Sequence, residues 1–148
     1  MLSPVSLVAG ATGLVGSHIV RNLSDCDGTQ LILARSFDNK IPSNAKLQII
    51  DFDDLLLNKV KLKSKVDNVY LCLGKRLATH ELLYMRESSK ESFKMIDLDY
   101  SLSIAKLAFG AGAKHIAVVS AVGAQEGSNN YYFHIKGKLE EEIKKIGY

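Results

Sequence analysis

Tryptophan is absent from the 148 residues, and proline and cysteine occur twice each. Two cysteines cannot build the dense disulfide framework of a small secreted domain. Cys26 lies in a polar stretch, and Cys72 lies in an apolar run as a small buried hydrophobe. They fit no metal-ligand spacing, and neither do His18, His80, His115 and His134, so no metal is expected. A reduced, cytoplasmic setting follows as an expectation. Charge of one sign is also scarce. Nineteen basic and 16 acidic residues give a net charge of +3, with no Lys/Arg block and no aromatic signature of RNA binding. Nucleic acid is therefore not an expected partner. The apolar runs are only a few residues long, far below the ~20 that span a bilayer, so no membrane partner is expected. The opening MLSPVSLVAGATG lacks a basic stretch followed by a long apolar one, and no secretory leader is expected.

What is present is an alternation. Apolar residues make up 47% and charged residues 24%, an ordinary balance for one globular domain. Short β-branched runs predict strands at Val5–Ala9, Gln30–Ala34, Lys46–Ile50, Asp67–Leu73 and His115–Val119. Helical spacing predicts helices at Leu14–Leu23, at Phe93–Ala108 and at Asn130–Ile146, with a short one at 52–57. Gly110 and Gly112 stop the second of these. Residues 75–92 read as a long loop or an irregular helix. In the final helix, Glu140/Lys144 and Glu141/Lys145 are spaced for ion pairs on a solvated face. Strands alternating with helices imply right-handed βαβ units. The fold class is α/β, a Rossmann-type doubly wound parallel sheet of order 3-2-1-4-5, over residues 1–148. Gly147 reads as a helix cap and Tyr148 as the first residue of a further strand. The expectation is a fragment lacking its C-terminal strands.

The first strand runs directly into Gly10-Ala11-Thr12-Gly13-Leu14-Val15-Gly16. Gly10 suits a tight turn, Gly13 a close backbone approach to a pyrophosphate, and Gly16 close packing of helix on sheet. The helix N-terminus then faces a phosphate. A strand before this GxxGxxG and a helix after it supply the context that makes it a dinucleotide site. The second strand ends at Arg35, where an acidic residue would bind the ribose hydroxyls of NAD. An arginine suits a 2′-phosphate by charge and forked geometry, so NADP is favoured over NAD. Asp51 and Phe52, after the third strand, are placed to meet the adenine. Leu73 and Gly74, ending the fourth, would border the adenosine side.

Tyr132 and Lys136 form a YxxxK at the start of the last helix, and i,i+4 spacing puts them on one face. A nearby ammonium favours tyrosinate, which suits proton exchange with a carbonyl/alcohol couple. Lys136 is also placed to bind the nicotinamide ribose. Ser120, 12 residues before Tyr132, ends the fifth strand and is the candidate to hydrogen-bond the reacting oxygen.

Three segments carry a resemblance over essentially the whole chain: VAGATGLVGSHIVRNL, DLDYSLSIAKLAFGAGAKHIAVVSAVGA and YYFHIKGKLEEEIKKIGY. Together they resemble the atypical or extended short-chain dehydrogenase/reductase superfamily, and within it the Tat-interacting-protein-like group and its bacterial relatives. The resemblance implies a Rossmann fold, NADP(H) at Gly10, Gly13, Gly16 and Arg35, and a Ser-Tyr-Lys set at Ser120, Tyr132 and Lys136. It also implies a homodimer formed through helices that flank the sheet. Three departures stand out. Extended members usually carry a second Ser or Thr after the fifth strand, where this chain has Ala121 and Val122. Asp97 replaces a common helix Asn. The C-terminal part that forms much of the substrate pocket is missing, so the small-molecule substrate is not specified. Two functions remain open, an NADP-dependent oxidoreductase and a non-catalytic NADP(H)-binding regulator or scaffold.

Overall fold

Residues 3–148 are described in a computed structural model of the chain. Five strands form one parallel sheet: β1 (Val5–Ala9), β2 (Thr29–Ala34), β3 (Ala45–Ile49), β4 (Asn68–Leu71) and β5 (His115–Val118). Their order is β3-β2-β1-β4-β5, as the alternation predicts. The register pairs Ala9 with both Leu33 and Leu71, and Leu71 with Val118. The carboxyl ends of the central strands therefore share one rim, and the order reverses beside β1. Ligands of open α/β sheets bind at such a switch point.

The two faces of the sheet are covered unequally. On one, α1 (Leu14–Ser24) lays Ile19, Val20 and Leu23 over Val8, Ile32 and Ala34. On the other, a larger core gathers α2 (Phe52–Leu56), α5 (Ser101–Gly110) and α6 (Tyr131–Ile146) around Leu7, Leu33, Leu71, Ile104 and Leu139. Cover on both faces explains why VSLVA reads as a continuous apolar run rather than an alternating one.

The structure corrects the sequence reading in four places. Residues 75–92 hold two helices, α3 (Thr79–Leu83) and the start of α4 (Glu87–Lys94). The helix expected from Phe93 is continuous with α4 but widens into a π-helical segment at Met95–Tyr100 before α5. The extra residue per turn shifts the buried stripe, so Asp97 and Leu98 face inward and Ile96 is only half-buried. On α6 the ion pairs form at i,i+3, Lys144 with Glu141 and Lys145 with Glu142, both at 2.6 Å, while Glu140 turns to Ser120. Finally, Tyr148, expected to open a strand, follows the cap Gly147 (φ +104°) and folds onto α5. Its hydroxyl donates to the Ala105 carbonyl at 2.6 Å and its ring meets Phe109 edge-on at 5.3 Å.

Burial pushes the Tyr148 phenol up to about 12. The neutral form is favoured in the fold, so its contribution is complete below the unfolded value of about 10 and is lost as pH rises through about 12. Between those limits the chain is expected to lose on the order of 1–2 kcal/mol more stability than Tyr148→Phe does. Urea midpoints at the two ends of that window check this, and equal losses in both proteins would refute it.

Candidate functional site

Gly10 leaves β1 with φ +83°, a conformation that favours glycine, and a Cβ there would run into the backbone of Cys72 at the end of β4. A Cβ on Gly16 would strike the Gly10 carbonyl. These two positions let strand, loop and helix close on one another. The Gly13 N–H donates to the Gly10 carbonyl at 3.0 Å, and Gly13 precedes α1 with no side chain capping it. The first-turn N–H groups of α1 thus open onto the rim without a protein acceptor from a cap. Uncapped donors and the positive end of the helix dipole together make an anion seat.

Beside this loop lies a cavity of about 110 Å³ lined by Gly10, Thr12, Arg35, Phe52, Leu73 and Tyr100. Ala11 is buried beneath it. Phe52 is buried, and the exposed Arg35 guanidinium stands 5.5 Å over its ring centroid. The ring therefore serves both the core and the cavity floor, and it holds the arginine at the rim. Tyr100 meets Phe52 edge-on at 5.1 Å, and its hydroxyl donates to Asp53 at 2.9 Å. Burial, and then this bond to a carboxylate, push the Tyr100 phenol up. Asp51 caps α2 by accepting from the Asp53 N–H at 2.8 Å, so one of its oxygens is already engaged.

A second cavity, of about 290 Å³, is lined by Gly13, Leu14, Val15, Gly74, Tyr132 and Lys136, with Asp97 and Arg76 at its wall. It brings the N-terminus of α1 and the Tyr-Lys pair into one cleft. Asn130 positions α6 there. Its side-chain oxygen accepts from the Tyr132 and Phe133 N–H groups, and its amide donates to the Leu82 and Leu83 carbonyls. The Tyr132 ring packs 5.5 Å from Phe93. Lys136 is buried, its ammonium 2.7 Å from Asp97 and 6.0 Å from the Tyr132 ring centroid. Cys72 also lines this cleft, and burial pushes its thiol up, away from nucleophile chemistry.

No protein-family model matches the chain. Among curated proteins it is 33% identical over 148 residues to "Protein FMP52, mitochondrial" of Candida albicans, covering 97% of this chain and 62% of that protein. It is 24% identical to "Protein HTATIP2" of Rattus norvegicus over 144 residues, covering 94% of this chain and 56% of that protein. Among solved structures, a short-chain dehydrogenase family protein from Francisella tularensis superposes with a TM-score of 0.73 at 16% identity, covering 99% of this chain and 63% of that one. MoeE5, solved with UDP-glucose and NAD, superposes with a TM-score of 0.69 at 15% identity, covering 97% of this chain and 48% of that one. The chain shares the fold of these short-chain dehydrogenase structures and is similar in sequence to the FMP52 and HTATIP2 proteins. It spans about three-fifths of the length of the curated relatives it matches. The cytoplasmic expectation is overturned, because the FMP52 relatives, those of Meyerozyma guilliermondii and Emericella nidulans included, are named mitochondrial. Reduced cysteines do not separate the two compartments, which is why composition pointed to the wrong one. Among the described residues no helix is long and apolar enough to cross a membrane, and no group of three or more His, Cys, Asp or Glu could hold a metal ion.

Against the superfamily pattern, Ser120 is the residue that does not join the Tyr-Lys pair. Its hydroxyl donates to the Glu140 carboxylate at 2.5 Å. Glu140 is two turns beyond Tyr132 on α6, so that hydroxyl is aimed along the helix. Val122, where a second hydroxyl would stand, is fully exposed. Two roles escaped the sequence reading. Asp97 enters it only as the replacement of a common helix Asn, and its pairing with Lys136 across 39 positions leaves no mark on local spacing. Gly137 sits mid-helix with the segment 125–126 against it, and a Cβ there would overlap the backbone of Gln125 and Glu126. The available signal was a glycine interrupting a good helix, directly after the YxxxK lysine. On an open helix Gly→Ala stabilises by about 1 kcal/mol. Here the sign should reverse, with Gly137→Ala costing about 1–3 kcal/mol as the loop is pushed off α6. Thermal unfolding checks it, and an unchanged or raised Tm would refute the close approach.

Proposed function

We propose that the chain binds NADP(H) along this rim and, with Tyr132 and Lys136, serves proton transfer in the interconversion of a carbonyl and an alcohol. The observation that carries the reading is the second cavity, where the anion seat of α1 and the Tyr-Lys pair line one cleft. The glycine turn, closed by the tight backbone approaches at Gly10 and Gly16, fits a pyrophosphate at Gly10–Gly16. Arg35 and Thr12 would hold the 2′-phosphate and adenosine end, with Phe52, Leu73 and Tyr100 packing around it. Asp51 would reach the adenine amine through its free oxygen, and Gly74 would border the ribose. What the bound cofactor supplies is hydride transfer at its nicotinamide. The protein's part is to hold a proton at the Tyr132 oxygen, to give it to a carbonyl oxygen or take it from an alcohol, and to exclude water from the cleft. Lys136 would bind the adjoining ribose.

A second reading, an NADP(H)-binding regulator without turnover, is favoured by one feature. The Ser120 hydroxyl is occupied by Glu140, and Ala121 and Val122 offer no replacement beside Tyr132. The FMP52 relatives are named mitochondrial, which favours the mitochondrion as the setting of either version. Titration of the purified chain with NADPH and NADH, followed by nucleotide fluorescence at fixed salt, tests the shared core of both readings. Tight NADPH binding supports it, and absence of binding by either nucleotide refutes it. Oxidation of NADPH by any member of a carbonyl panel then separates the enzyme from the regulator.

A further inference from the structure

We propose that Asp97 is a positioning residue that sets where the Lys136 ammonium stands in the cleft. Asp97 is 2% exposed, and both of its oxygens are committed. Oδ2 accepts the Lys75 backbone N–H at 2.8 Å, which ties the carboxylate to the loop after β4. Oδ1 accepts from Lys136 Nζ at 2.7 Å, and the Val119 carbonyl is a second, longer partner at 3.4 Å. A buried ion pair is weak evidence for stability, since apolar residues of the same volume usually do as well or better. This pair does not sit in the middle of the core either. Asp97, Lys136 and Tyr132 line the same 290 Å³ cavity, so the pair forms part of the wall that a ligand would meet.

The backbone is shaped to deliver the carboxylate. Asp97 lies within the π-helical segment, a rare form that concentrates at functional sites. The wider turn sends neighbouring residues to different places. Ile96 and Tyr100 line the cavity under Arg35, and Asp97 lines the cavity with Tyr132. Without the carboxylate, nothing else among the described residues gives the lysine a charged partner at that depth. Its flexible four-carbon stem would then leave the Tyr132 ring.

The inference rests on the proposed function only for what Lys136 does there, and its test works without a substrate. Asp97→Asn keeps the shape and removes the charge. Amine acetylation mapped by mass spectrometry on the free protein is expected to speed up about tenfold at Lys136 in the variant, the scale of one charged hydrogen bond, with Lys138 and Lys144 unchanged. A merely structural pair would raise all α6 lysines together, and that result, or no change at Lys136, overturns the proposal. NADPH binding is expected to weaken about tenfold on the same scale, with the NADPH/NADH preference intact because Arg35 is untouched. Should Asp97→Asn fail to fold, Asp97→Asn/Lys136→Met removes the pair as a unit. Its binding loss should equal that of Lys136→Met alone, since Asp97 acts through Lys136, and a loss clearly larger than that of Lys136→Met overturns the proposal. If the wild-type protein binds no nucleotide, the function is wrong, and the acetylation pattern still decides the role of Asp97.

Discussion

Tyr132→Phe is expected to slow NADPH-dependent carbonyl reduction by about 10²–10⁴-fold, the usual contribution of a positioned acid, and to leave NADPH affinity within about twofold. The ring is held by packing rather than by its oxygen. It lies 5.5 Å from Phe93 and 5.4 Å from Phe133, and the Asn130 cap fixes the turn that carries it. Phenylalanine keeps those contacts. What it removes is a hydroxyl that makes no hydrogen bond to another described residue and is free to meet a ligand. Single-turnover rates on a reactive carbonyl, alongside fluorescence titration, separate the outcomes. Equal loss of binding and rate would make Tyr132 part of the cofactor seat. Undiminished turnover would remove it from the chemistry.

Arg35→Ala is expected to weaken NADPH binding about 10- to 100-fold and to leave NADH nearly unchanged, because charge-assisted bonds contribute about 1.5–3 kcal/mol. Two features make the change selective. The guanidinium is exposed at the end of β2, and its position is set by Phe52 beneath it rather than by an acidic partner among the described residues. Its loss therefore leaves no buried charge stranded and does not disturb the core. A parallel fall in NADH affinity would place Arg35 against the common part of the nucleotide, and the preference for NADP would have to come from elsewhere.

Much of this arrangement was legible because it is written locally. Strand order followed from alternation and crossover handedness, and the glycine loop from the small residues that a close approach demands. Arg35 and the Tyr132-Lys136 face followed from position within a known topology. The unread parts depend on long-range contacts. The π segment differs from an ordinary helix by where its carbonyls find donors, and Phe93, Ile96, Tyr100 and Ile104 fit simple helical spacing until Asp97 is seen to be buried. Ser120 stands two residues past β5, and its hydroxyl is captured by Glu140, a residue whose own spacing pointed to Lys144. Gly137 is needed by a neighbouring loop rather than by its helix, so helical propensity alone misjudges it. The compartment was misread because neither charge nor cysteine content encodes an address.

The parallel sheet also dictates when the cleft can exist. Ser6 pairs with Asn68, Gly10 rests on Cys72, and Asp97 waits for Lys136. Each half of the nucleotide seat is completed by a partner far along the chain, so early-made segments hold no pocket of their own. Such non-local closure is slow and leaves apolar strands exposed meanwhile. During synthesis or refolding, the cleft that holds Tyr132 and Lys136 therefore cannot form until α6 has docked, whereas the cavity under Arg35 needs only residues up to Tyr100.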